Sequence, residues 1–342
     1  MDPARAADVY GITAIQQIFD GLVQFDENLN VIPAIADSWR VSRDGHTYRF
    51  ALKDDVRFHN GREVEAEDFV YSFTRVLNPE IRSNAARLFS RILGAGAVLE
   101  GKTSSVEGLR AVGARELEIR LREPYPPFLT ILAMKSANVV PPEEVERKGS
   151  SFGRNPVGTG PFRFDQWKPT SEIVVRANQD YFEGGPSLEG ITYVTYPGQE
   201  GDRMMKDFLA GRLESLRVNT ASDRSLLSEK GYQILKKPTL GLLYYGINCA
   251  RKPLENPKVR RALNLAIKKD AMISLLKKHV IARGVIPPGM PGYNPDQRGY
   301  PYDPERARTL LSDVGYPGGK ASPSSISGPI RAQSLHRRKS AS

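Results

Sequence analysis

Few side chains of this 342-residue sequence have the types and spacing that catalysis or metal binding needs. The metal-binding and nucleophilic side chains are four scattered histidines and one cysteine: His46, His59, His279, His336 and Cys249. Aspartates lie near the first two histidines, but a metal site needs ligands that converge on one point, so a turn histidine and a strand-end histidine are the simpler interpretation. No G-x-S-x-G, H-E-x-x-H or C-x-x-C motif occurs. We therefore predict a protein that is not an enzyme, with no metal site and no cofactor.

A glycine-rich turn, Gly158-Thr159-Gly160-Pro161, is the segment that could suggest phosphate binding. It lacks the G-x-x-x-x-G-K-[ST] pattern, and Pro161 removes a backbone donor that a phosphate cradle would use. We interpret it instead as a rigid turn that enters a strand at residues 162–167. Its glycines would permit backbone angles that other side chains forbid.

The net charge of +10 is unevenly distributed along the chain. The last 23 residues hold five lysines and arginines and no acids, which is half of the excess. The remaining chain is nearly balanced, whereas a nucleic-acid-binding domain clusters basic residues on a folded face. We therefore expect no nucleic-acid partner. The serine-, glycine- and proline-rich composition of residues 320–342 predicts a disordered basic tail.

No apolar stretch reaches the roughly 18 residues that a transmembrane helix needs. The N-terminus lacks the basic region followed by an apolar region that marks a signal peptide. We expect either a cytosolic protein or one whose export signal is absent from this sequence. The single cysteine, Cys249, allows neither an intramolecular disulfide nor a zinc site of the paired-cysteine type.

Periodicity predicts the elements that position these side chains. Residues 47–52 alternate between apolar and polar and predict a strand, which the turn Asp44-Gly45 joins to the strand before it. Apolar residues from Ala66 to Leu77 follow a helical stripe. Residues 240–248 read as an apolar strand, and residues 256–268 as a helix with Asn256 as its cap and Pro257 in its first turn.

Two long runs carry a resemblance to a known family. The run A-x-S-W-x-V-S-x-D-G-x-T-Y-x-F-x-L-K-x-D-V-x-F-H-N-G begins at Ala36, and N-P-V-G-T-G-P-F-x-F-x-x-W-K-P begins at Asn155. Both resemble the family 5 extracellular solute-binding proteins, the peptide-binding subunits of ABC importers. The resemblance continues through V-R-x-A-L-x-x-A-I at residues 259–267 and stops at Gly319.

The resemblance implies an α/β fold of the type II periplasmic-binding-protein class, with mixed sheets and two lobes around a cleft. Residues 1–22 and 155–236 would form a discontinuous first lobe, residues 23–154 an inserted small domain, and residues 237–319 the start of a second lobe that is incomplete. The tail 320–342 would then be non-native sequence after a C-terminal truncation.

The resemblance also implies a function of capture. A peptide would bind between the lobes, and the closed protein would dock on the permease subunits of the importer as a monomer, in the periplasm or outside the cell. The residues expected at the ligand are the following seven: Tyr10, Gln16, Ser136, Ala137, Thr159, Tyr245 and Asn248.

Other interpretations remain open at this stage. Within the family, the ligand could instead be nickel, haem or an oligosaccharide. Outside it, the basic tail and the basic face of the helix at residues 256–268 could serve a basic interaction protein, or the chain could be a non-functional truncated product. A solvated surface is the simpler interpretation of that helix face.

Overall fold

The computed structural model describes residues 1–5, 9–198, 201–218, 220–235, 240–276 and 280–317. The chain divides into two compact units, Met1–Ala210 and Gly211–Ser342. The finer division into a discontinuous lobe and an inserted domain stays a prediction. His279, His336 and the expected disordered tail 320–342 lie outside the described residues.

The first unit alternates helices and strands along the chain. Its helices are α1 (Val9–Ile18), α2 (Ala66–Leu77), α3 (Ala86–Phe89), α4 (Ala95–Leu99), α5 (Phe128–Leu132), α6 (Pro142–Lys148) and α7 (Gly201–Leu209). Its strands are β1 (Val23–Phe25), β2 (Val31–Pro33), β3 (Ala36–Val41), β4 (Thr47–Leu52), β5 (Leu109–Ala111), β6 (Glu116–Arg120), β7 (Phe162–Lys168), β8 (Glu172–Ala177) and β9 (Gly190–Val194). Two 3₁₀ turns, Lys135–Ala137 and Gly149–Arg154, complete the unit.

The strands form three sheets in the described part of the chain: β1-β2, β3-β4-β6-β5 and β7-β8-β9. All their pairs are antiparallel, so the parallel pairs that a mixed sheet would also contain are not found among the residues described. Antiparallel sheets can bury one face and expose the other, as the alternating pattern of β4 predicts. That strand and its turn are confirmed, with Gly45 at a φ of 72°.

The main core lies between the four-stranded sheet and α2. Side chains from β4 and β6 point inward from one face of the sheet and are buried: Tyr48, Phe50, Leu117 and Ile119. Phe69 and Phe73 of α2 are also fully buried, as the helical stripe predicts. The carboxylate of Asp68 accepts a hydrogen bond from the Glu65 N–H at 2.8 Å, which satisfies a donor at the start of α2.

An ion pair ties the N-terminal residues to α2. The Arg75 guanidinium bonds both carboxylate oxygens of Asp2, with an Nη1–Oδ1 distance of 2.8 Å. Both side chains are more than nine-tenths buried, and Asp2 also accepts the Ala4 N–H. A charge buried this deeply is tolerated only with its partner, so the pair holds residues 1–5 in place.

The second unit contains α8 (Ala221–Glu229), α9 (Pro257–Ala266), α10 (Lys269–Leu276) and α11 (Pro304–Ser312). Helices α9 and α11 pack through a small cluster formed by Ala262, Leu265 and Ala307. The predicted start of α9 is confirmed, because Asn256 Oδ1 accepts the Lys258 N–H at 2.9 Å and a proline follows the cap.

The predicted strand at residues 240–248 is wrong. The segment makes no strand ladder, and Leu243, Tyr244 and Tyr245 are each more than 60% exposed. A strand requires a neighbour that accepts and donates its main-chain hydrogen bonds, and the described part of the second unit contains no strand. Among the residues that the structure covers, none of the helices combines the length and apolar character that a bilayer crossing demands.

Candidate functional site

Three segments that are distant in sequence meet in the first unit, and we call the place where they meet the junction. The segments are residues 17–21 at the end of α1, residues 135–139, and the turn 158–160. Gly160 N–H donates to Ile18 O at 2.9 Å, and Val139 N–H donates to Asp20 O at 2.9 Å. The junction therefore joins the two points where the chain enters and leaves residues 23–154.

The glycines of the turn are required by close approach. A Cβ on Gly158 would lie 2.0 Å from Ile18 O, and one on Gly160 would lie 2.5 Å from Gln17 O. Neither glycine has a positive φ, so the expectation that they supply unusual backbone angles is wrong. Backbone packs against backbone here, and any side chain would separate the segments.

The N–H groups of both glycines of the turn are already used inside the protein. Gly158 N–H donates to the His59 ring and Gly160 N–H to the end of α1. A phosphate cradle needs such N–H groups pointing outward, free to meet an anion. The turn therefore acts as a structural connection, in agreement with the interpretation of the sequence.

Asp20 is the charged centre of the junction. The Thr159 hydroxyl donates to Asp20 Oδ2 at 2.9 Å and accepts the Asp20 N–H at 3.0 Å, while the Tyr181 hydroxyl donates to Oδ1 at 3.3 Å. Burial raises the pKa of Asp20 to about 6, and the hydrogen bond from Thr159 and the charge of Lys135 limit the rise. The carboxyl group can therefore gain or lose a proton near pH 6.

Lys135 and Ser136 place further polar groups at the same junction. Burial lowers the pKa of Lys135, and the carboxylate of Asp20 opposes this effect. The Ser136 hydroxyl oxygen is buried and has no hydrogen-bond partner among the described residues. A buried polar atom without a partner costs free energy, so this hydroxyl is available to a ligand or a water molecule.

His59 locks the turn from its other side. Its Nε2 lies 3.0 Å from Gly160 O and acts as the donor, while Nδ1 accepts the Gly158 N–H at 3.3 Å. Both ring nitrogens are occupied in a neutral imidazole, which leaves neither for a metal ion. Burial lowers the pKa of His59 to about 4. This side chain is a positioning group for the turn.

Four predicted site residues lie on or near the junction. Thr159 is at its centre and 1% exposed. Ser136 and Ala137 belong to its second segment, and Ala137 is fully buried, so a ligand could meet only its main chain. Gln16 lies on the exposed side of α1.

The other three predicted residues are Tyr10, Tyr245 and Asn248. The Tyr10 side chain lies outside the described residues. Tyr245 and Asn248 belong to the second unit, where both are exposed and the Asn248 side chain accepts the Ala250 N–H at 3.1 Å. A role in ligand binding stays a prediction for all seven residues.

Sequence reasoning missed Asp20, Tyr181 and His59 as parts of one network. In the sequence, His59 reads only as a strand-end histidine, and no local pattern marks Asp20. Their partners are 139 and 161 positions away for Asp20 and 101 positions away for His59. The available signal was the glycine-rich turn, because glycines that admit a close backbone neighbour mark a place where distant segments meet.

Comparison with known proteins agrees with the resemblance. Residues 30–329 match the model of the family described as bacterial extracellular solute-binding proteins, family 5 Middle. The chain is 31% identical to a glutathione-binding protein GsiB of Pectobacterium atrosepticum and 29% identical to that of Salmonella paratyphi A. Each match covers 93% of this chain and 60% of the relative, so the chain spans less than two thirds of these curated relatives.

Solved structures share the fold. The Escherichia coli murein tripeptide binding protein MppA is 28% identical, with a TM-score of 0.77 over 93% of this chain and 65% of that one. The unliganded open form of MppA gives 29% identity and a TM-score of 0.74, covering 64% of that chain. The α/β fold expected from the resemblance, that of the type II periplasmic binding proteins, is confirmed.

Proposed function

The chain belongs to family 5 of the bacterial extracellular solute-binding proteins, and we propose that it acts as the substrate-binding protein of an ABC importer. In this proposal it captures short peptides between two lobes and delivers them to a membrane permease. The observation that carries the proposal is the pair of relatives: one is named for binding glutathione and the other for binding murein tripeptide, and both ligands are short peptides. In this proposal the protein binds its ligand and does not convert it chemically.

The segment at residues 240–247, which belongs to no helix or strand, supports a peptide ligand. Its main-chain groups make no hydrogen bond to the main chain of any described residue, and two neighbouring tyrosines, Tyr244 and Tyr245, are exposed. An extended peptide binds such a segment by strand addition, in which main-chain hydrogen bonds give affinity for many sequences. The tyrosine rings would cover apolar side chains of the ligand.

We further propose that the protein works as a monomer outside the cytoplasm, without a nucleic-acid partner. Closure of the two lobes about a hinge would enclose the ligand, and the permease would recognise the closed form. The ligand-contacting set would be the one predicted from the sequence, with Tyr245 and Asn248 on the second unit and Thr159 as a buried support.

A ligand screen tests the proposal. Unfolding of the purified chain is followed with glutathione, di- to pentapeptides, Ni²⁺, haem and a maltooligosaccharide, because a ligand that binds the folded state raises its stability by about 2.7 kcal/mol at a concentration of 100 Kd. We expect a rise in the melting temperature with peptides only. A rise with Ni²⁺, haem or the oligosaccharide alone would assign one of the other family ligands, and no rise at all would contradict binding by this chain.

A matched pair of variants locates the ligand. Tyr245→Ala should weaken peptide binding, measured by titration calorimetry, because it removes an exposed aromatic side chain from residues 240–247. Tyr302→Ala is the control, since Tyr302 is an exposed tyrosine of the same unit outside that segment. Equal affinities of the two variants would refute a role for residues 240–247.

A further inference from the structure

The outer face of the four-stranded sheet carries a group of arginines that the proposed function does not use. We call it the basic face and define it by four exposed residues on β3, β4, β5 and β6: Arg40, Arg49, Arg110 and Arg120. The opposite face of the same strands is buried in the core beneath α2. The sheet is therefore held rigidly, and the arginines project from a fixed support.

The strand register places like charges side by side. Arg40 is directly opposite Arg49, and Glu118 lies between Arg49 and Arg110 in the same row. Arg49 Nε bonds Glu118 Oε2 at 2.8 Å, which neutralises one arginine of the row. Like charges opposite each other in a sheet are destabilising, so the arrangement costs stability that an anionic partner would restore.

Three arginines of the face remain unpaired. No carboxylate among the residues that the structure describes lies within ion-pair distance of Arg40, Arg110 or Arg120. Beside them lies an open groove of about 630 Å³, whose charged lining consists of three arginines and two carboxylates: Arg40, Arg49, Arg120, Asp44 and Glu118. Glu118 is paired with Arg49, and Asp44 accepts hydrogen bonds from within its own turn, so the arginines at positions 40 and 120 keep their charge unpaired. Planar guanidinium groups bind phosphate through two parallel hydrogen bonds, and a row of them suits a surface that presents many phosphates.

We propose that the basic face docks on anionic phospholipid headgroups. A protein partner is the poorer fit, because protein interfaces are centred on aromatic or apolar anchors, whereas Val41, 44% exposed, is the large apolar side chain in the groove. A bilayer surface needs no such anchor, and each arginine near it contributes independently. The proposal goes beyond ligand capture and holds whichever ligand the protein takes.

Vesicle binding tests the proposal with the full chain. Phosphatidylcholine vesicles with and without phosphatidylglycerol are sedimented with the protein at low salt, and the partition coefficient is measured. We expect binding only to the anionic vesicles, with loss at high salt because the charges are exposed. Each arginine near an anionic surface contributes about 1 kcal/mol to the binding free energy. Because about 1.4 kcal/mol corresponds to a tenfold change in affinity, the variant R40Q/R110Q/R120Q should bind the anionic vesicles roughly 100-fold more weakly.

The matched control removes the same charge elsewhere. R251Q/R261Q/K268Q changes three exposed basic residues of the second unit, none of which has an ion pair with a described residue. We expect it to keep most of the vesicle binding, and circular dichroism checks that both variants are folded. An equal fall in both variants would show attraction by net charge alone and would overturn the proposal, as would unchanged binding of R40Q/R110Q/R120Q. Binding to polyglutamate without binding to vesicles would assign the face to an acidic protein instead.

Discussion

Replacing Asp20 by asparagine should make the stability of the first unit rise with pH between about 4 and 6.5. The reason is that Asp20 in the junction and His59 beside it change the stability with pH in opposite directions. The pKa of Asp20 is raised from 3.8 to about 6, so the folded form keeps a proton that the unfolded form loses. Its contribution to the free energy of unfolding therefore falls as the pH rises through this window.

His59 acts in the other direction. Its pKa is lowered from 6.5 to about 4, so between these values the unfolded form binds a proton that the folded form lacks. Its contribution to the free energy of unfolding rises with pH over the same range. Each difference corresponds to about 3 kcal/mol, and partial exposure of both side chains reduces this to roughly 1–3 kcal/mol. In the wild type the two contributions nearly cancel.

The assay is urea unfolding at a series of pH values, followed by tryptophan fluorescence. Both tryptophans, Trp39 and Trp167, belong to the first unit and report on it directly. Relative to the wild type, Asp20→Asn should gain roughly 1–3 kcal/mol between pH 4 and pH 6.5, because only the histidine then titrates. His59→Gln keeps a donor for Gly160 O and should show the opposite slope. The double variant should differ little in slope from the wild type.

The slopes decide the outcome, since each substitution also changes hydrogen bonds that do not depend on pH. If Asp20→Asn and the wild type gave parallel curves, the aspartate would not hold a raised pKa and the network around it would be misassigned. If the two single variants changed the slope in the same sense relative to the wild type, the opposition of the two groups would equally be refuted.

The remaining predictions concern stability, measured by the same urea unfolding. Thr159→Val removes a buried hydroxyl that makes two hydrogen bonds and should cost about 2–4 kcal/mol more than Thr159→Ser, which keeps them. Gly158→Ala places a methyl group 2.0 Å from a carbonyl oxygen of α1 and should cost about 3 kcal/mol or more, whereas Gly96→Ala, with open space around it, should be close to neutral or stabilising. Arg75→Met leaves the Asp2 carboxylate buried without its partner and should cost about 3–5 kcal/mol, and adding Asp2→Asn should recover part of this loss; additive losses would contradict the pairing.

Much of the local structure follows from the sequence alone. The bounds of β4 and α2 agree with the alternation at residues 47–52 and the helical stripe at residues 66–77. The caps of α9 and α11 follow from Asn256-Pro257 and Asp303-Pro304. These features depend on residues within a few positions of one another, so neighbours in the sequence contain the information. Family membership follows for the same reason, because its motifs are continuous runs.

The junction depended on the tertiary structure. Asp20 and Thr159 are 139 positions apart, and no local pattern indicates that a hydroxyl and a carboxylate so distant share two hydrogen bonds. The sequence suggested that Gly158 supplies an unusual backbone angle, whereas the structure shows that it admits the main chain of α1. Such a close approach involves two segments, so one segment alone cannot reveal it. The segment at residues 240–248 shows the same limit, since strand propensity belongs to a sequence, but a strand forms only where a second segment supplies its hydrogen bonds.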